Sequence, residues 1–162
     1  MEKLSEEKRQ FKVDTRNLVD VTLMGITITL FGLIITIKPE LLTESPFLGI
    51  QLALIIPFFL CGLLSRIKEA TYSNSKKWSK LTQISFVIGY GFFINILGLI
   101  LAFVAPIHLA MSFFAADLLL TAIRAEIVIS YNPEGFKDRI FREIVQLLII
   151  VFLGILPALR VY

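Results

Sequence analysis

Apolar positions in this chain run together instead of alternating with polar ones. Uncharged stretches extend from Val21 to Ile37, Ser45 to Ser65, Leu81 to Ala116 and Ile144 to Leu159. A helix needs roughly 20 predominantly apolar residues to cross about 30 Å of hydrocarbon. The third stretch holds 36 residues and contains Pro106, where a helical hairpin would turn. The pattern predicts an all-α integral membrane protein, a bundle of about five transmembrane helices at approximately 18–38, 46–65, 81–105, 107–130 and 143–159. The fifth has the shortest uncharged core, with Pro157 near its end, and the sequence leaves open whether it crosses fully.

The remaining segments are charged. Residues 1–17 read as a cytoplasmic N-terminal tail, with Leu4, Phe11 and Leu18 at heptad spacing, ahead of one transmembrane domain over 18–162. The first apolar helix lacks a small-residue cleavage site and reads as a retained span. Within the domain, 66–80 is a basic cytoplasmic loop and 133–143 an amphipathic segment lying along the interface. Asn132 followed by Pro133 is a helix-start signal. Phe136, Ile140 and Ile144 follow on one face of that helix.

Charge gives the orientation. Fourteen of the sixteen Lys and Arg residues fall in the tail, in the loop between helices two and three, or between helices four and five. Only Lys38 and Arg160 fall on the other side. Short basic loops resist translocation, so the N-terminus is expected in the cytoplasm of a plasma- or inner-membrane protein. Trp78 and Tyr72 would sit at the headgroup layer on that side.

Composition agrees: 56% of the 162 residues are hydrophobic and the mean hydropathy is +0.80, which leaves no separate soluble domain. The single cysteine, Cys61, permits no disulfide framework. No metal, cofactor or nucleic-acid partner is expected.

Helices in lipid associate through small residues and polar contacts. Helix one carries Thr22, Gly25, Thr29, Gly32 and Thr36 at steps of three and four, which favours a shallow left-handed crossing. Helix two carries Gly49, Ala53, Pro57, Cys61 and Ser65 at steps of four, and helix three Gly91, Asn95, Gly98, Ala102 and Ala105. These stripes read as packing faces or as the lining of a pore. Pro57 frees a backbone carbonyl in mid-helix, as a fixed bend or as a hinge.

Asp117 is the sharpest point in the chain. A carboxylate at the bilayer centre costs about 2.5–3.5 kcal/mol on insertion scales and usually faces protein or water. It lies eleven residues after Pro106, and Asn95 lies eleven residues before it, so the two should share a depth. Thr121 and Arg124 follow on about the same face of helix four, with Arg124 and Glu126 as cytoplasmic gate or snorkelling charges. One reading is a structural Asp117–Asn95 hydrogen bond, and the other is a proton or cation site. His108 has no partners for a metal, and Gln51 reads as interfacial.

Zinc-protease, nucleophile-elbow, potassium-filter and voltage-sensor motifs are absent, as is a second midplane aspartate. An enzyme is therefore not expected. The leading expectation is an oligomeric channel or carrier for a proton or monovalent cation. The alternative is a non-catalytic accessory or assembly subunit of a larger membrane complex. Both imply the lipid bilayer and either a second copy or a larger complex as partners.

Overall fold

A computed structural model describes residues 2–71, 75–131 and 136–160. Tyr72, Asn132 and Pro133 fall outside this set, as do the side chains of Leu4, Phe11 and Arg16. The described residues are all-helical: α1 (Glu2–Ile37), α2 (Glu40–Glu44), α3 (Pro46–Thr71), α4 (Ser75–Val104), α5 (Ile107–Tyr131), α6 (Phe136–Ile150), a π-helical turn over Val151–Ile155, and α7 (Leu156–Leu159). Five helical segments are long and apolar enough to cross a membrane: Asn17–Ile37, Pro46–Glu69, Lys77–Val104, Ile107–Ile127 and Ile140–Leu159.

Three boundaries differ from those read in the sequence. α1 does not begin at residue 18 but is one helix from Glu2, because no Pro or Gly interrupts that stretch. The loop expected at 66–80 is mostly helix, since α3 continues to Thr71 and α4 starts at Ser75. The described part of the amphipathic segment, from Phe136, is continuous with the helix of the fifth span.

α4 is the hub, touching α1, α3, α5, α6, the π turn and α7. Its glycines set the distances of closest approach. A Cβ on Gly91 would lie 2.9 Å from Ile149 Cγ2, and one on Gly98 would overlap the Phe114 ring, 2.6 Å from Cε2. Gly89 meets Phe59 in the same way. The α4–α5 hairpin turns at Pro106, whose carbonyl accepts from Leu109 N–H at 2.9 Å. α3 antiparallel to α4 is welded by large residues, with Leu48, Leu52, Ile55 and Phe59 buried on one face. Pro57 and Ala53 lie on the exposed side of α3, which continues unbroken through the proline, and Gly49 is half-buried.

α1 is rotated away from its small-residue stripe. Asp20, Thr27 and Ile34 are buried at heptad spacing, while Thr22, Gly25, Thr29 and Gly32 are exposed and nothing lies within 4 Å of a Cβ built on either glycine. The rotation has an electrostatic reason. Asp20 Oδ2 meets Arg66 Nη1 at 3.0 Å, both side chains being buried. A charge taken out of water is tolerated only when paired, so this contact decides which face of α1 turns inward. Thr29 and Thr36 donate to the carbonyls of Gly25 and Gly32, so these two hydroxyls are satisfied within the helix.

Candidate functional site

Two polar clusters lie inside this apolar bundle. The first is an amide clasp on the last span. Asn95, fully buried on α4, donates from Nδ2 to Gln51 Oε1 at 2.8 Å and to the Ile149 carbonyl at 3.0 Å. Gln51 donates from Nε2 to the Leu153 carbonyl at 2.8 Å and to Phe47 O at 3.0 Å. The two receiving carbonyls of the last span bracket the start of the π turn, where the ladder changes from i+4 to i+5 bonding. Such turns are often found at functional sites. Gly154 makes the fit possible, since a Cβ there would lie 2.8 Å from Asn95 Cγ and 2.9 Å from Phe114 Cε1.

The expected Asp117–Asn95 hydrogen bond is not formed. Gly98 against Phe114 does put the two residues at matching levels of the antiparallel hairpin, but Asn95 turns toward α3 and α6 instead. Gln51 Oε1 and the Ile149 carbonyl offered its amide N–H groups acceptors there. Asp117 is half-buried on the face of α5 that carries Phe114 and Thr121. Its Oδ2 is buried and has no hydrogen-bond partner among the described residues.

The second cluster sits toward the end of the bundle where α3 meets α4 and α5 meets α6. A cavity of about 500 Å³ opens there among α1, α3, α4, α5 and α6. Arg124 reaches across it from α5, donating from Nη2 to both Glu143 oxygens at 3.1 and 3.2 Å and to Gln146 Oε1 at 3.2 Å. Arg142 Nη1 donates to Gln83 Oε1, and the Asp20–Arg66 pair closes the α1 side. Arg124 and Asp117 stand two turns apart on α5, and Asp117 is not among the residues that line this cavity.

Glu126 lies exposed on α5, outside this cluster, and Thr121 is half-buried one turn from Asp117. His108 is exposed, and no metal-binding group of His, Cys, Asp or Glu occurs among the described residues. A smaller cavity of about 370 Å³ at the opposite end is lined by Glu44, Phe47, Pro157 and Arg160.

Sequence reasoning missed Gln146, Glu143 and the Asp20–Arg66 pair, and it took Gln51 for an interfacial residue, whereas Gln51 is buried and bonded to Asn95. Two signals were present. Gln51 shares the face of Leu48, Leu52 and Ile55, and Gln146 is the one polar amide within the last uncharged stretch. The ion pair left no trace in the spacing, because its partners are 46 residues apart.

No protein-family model matches the chain, and neither a curated protein nor a solved structure shows significant similarity to it.

Proposed function

We propose that this protein is a small membrane channel or carrier for a proton or monovalent cation, with Asp117 as the group that accepts it. The observation that carries this reading is Asp117 itself, a carboxylate within the fourth apolar span whose buried Oδ2 lacks a hydrogen-bond partner among the described residues, two turns of α5 from Arg124 at the large cavity. An ionisable group held inside a span is costly unless it is used. Arg124 supplies a positive charge at the cavity end of the same helix. Asn95 leaves the path in this reading and acts as the clasp that fixes α6 against α3 and α4. The cavity end faces the cytoplasm if the charge asymmetry of the loops sets the topology.

A second reading keeps one specific observation in its favour. The Gly25–Gly32 face of α1 is open, which suits an accessory subunit that docks on another membrane protein.

Proteoliposomes with a pH-sensitive dye inside, or loaded with sodium or potassium, separate the two. Transport through Asp117 gives flux in wild type, retains it in Asp117→Glu and loses it in folded Asp117→Asn. Wild-type protein that carries no ion at all refutes the transport reading and leaves the accessory role.

A further inference from the structure

The large cavity carries donors beyond the Arg124–Glu143 pair that the transport reading draws on. Three guanidiniums, from Arg66, Arg124 and Arg142, and two carboxylates, Asp20 and Glu143, are among its lining residues. Gln146 also lines it. This side chain is 2% exposed, and its Nε2 has no hydrogen-bond partner among the described residues although its Oε1 is taken by Arg124. Leaving a buried N–H donor without an acceptor is costly, so the amide is set for an acceptor that enters the cavity. Phe86 and Val19 supply an apolar wall beside these donors.

From this arrangement we propose that the cavity is a binding site for a phosphate-bearing anion, held by Gln146 Nε2 and the guanidiniums of Arg142 and Arg124. A tetrahedral oxyanion has enough acceptor oxygens to meet an amide and two planar guanidiniums together, and arginine favours that geometry. Basic pockets between spanning helices near the cytoplasmic surface take anionic lipid headgroups. The volume, about 500 Å³, suits a headgroup or a small phosphate ester equally. The shared chemistry is the phosphate, and experiment separates the two sources.

The test uses the full chain in dodecyl maltoside, with unfolding followed through the emission of Trp78, its only tryptophan. One arm titrates sodium phosphate against sodium chloride at equal ionic strength. The other titrates phosphatidylglycerol against phosphatidylcholine. A saturable rise in melting temperature with phosphatidylglycerol alone assigns the site to a lipid headgroup, and a rise with inorganic phosphate assigns it to a soluble phosphate. In either case Gln146→Leu and Arg142→Gln each raise the midpoint concentration about tenfold, as expected for one hydrogen bond to a charged group. Arg142→Gln keeps the test decisive if Gln146→Leu does not fold, because Arg142 is only partly buried. No saturable shift in either arm, or unchanged midpoints in variants of wild-type helicity, overturns the proposal.

Discussion

Replacing Asn95 by Leu isolates the amide clasp from everything else in the bundle. The change keeps the side-chain volume roughly constant but removes the hydrogen bonds to Gln51 Oε1 (2.8 Å) and to the Ile149 carbonyl (3.0 Å). Interhelical hydrogen bonds within a membrane average about 0.6 kcal/mol and reach about 1.7 kcal/mol. Two of them lost together, with Gln51 Oε1 left buried and unmet, give an expected destabilisation of about 2 kcal/mol. Gln51→Leu loses the same shared bond along with its contact to Leu153 O, so the double variant costs about 1 kcal/mol less than the sum of the singles. The assay is equilibrium unfolding in mixed micelles of rising dodecyl sulfate fraction, read by far-ultraviolet circular dichroism. Singles that add to within about 0.3 kcal/mol mean the two amides act independently, and the clasp is then refuted. An Asn95→Leu variant as stable as wild type refutes it as well.

The same micelle assay checks the remaining contacts. Gly98→Ala drives a methyl into the Phe114 ring and is expected to destabilise by about 1–3 kcal/mol. Gly32→Ala meets open space and is expected to stabilise by up to about 1 kcal/mol through helix propensity, so equal effects at the two glycines would contradict the packing described. Asp20→Asn strands Arg66 and is expected to lose about 3–5 kcal/mol, whereas Asp20→Leu combined with Arg66→Met recovers most of that loss. Failure of the double variant to recover stability would mean that the pair is not the element that orients α1. For topology, Cys61→Ala with a cysteine placed at Lys80 should react with a membrane-impermeant maleimide only from the cytoplasmic side, while one at Glu44 should react only from the opposite side. The reverse pattern would overturn the orientation taken from charge.

Much of the fold was legible because each helix carries its own evidence. Long uncharged runs, Pro106 at the hairpin and the break at Lys38–Pro39 are local features, and a spanning helix satisfies its backbone hydrogen bonds within itself. The depth of Asp117 and Asn95 followed from counting residues from Pro106. The faces did not follow. Small residues are expected to mark contact surfaces, and Gly91 and Gly98 do meet neighbouring helices, yet Gly25 and Gly32 point into open space. The difference lies in Asp20: once Arg66 is buried, turning Asp20 away would strand its charge, which costs more than forgoing the close packing of a Gly/Thr stripe.

What the sequence determined by itself was therefore the membrane character of this protein and the number and approximate extent of its apolar helices, all properties of single segments. Tertiary structure alone decided which polar groups meet. Asn95 found Gln51 and the Ile149 carbonyl beside the π turn because three helices bring these groups to one level and Gly154 leaves room for them. Asp117 was left with a buried Oδ2 that meets no hydrogen-bond partner among the described residues, and Gln146 with an unmet donor facing a cavity. Hydrogen bonding depends on direction and on distances below about 3.2 Å, and no spacing along one helix encodes the rotation of its neighbour.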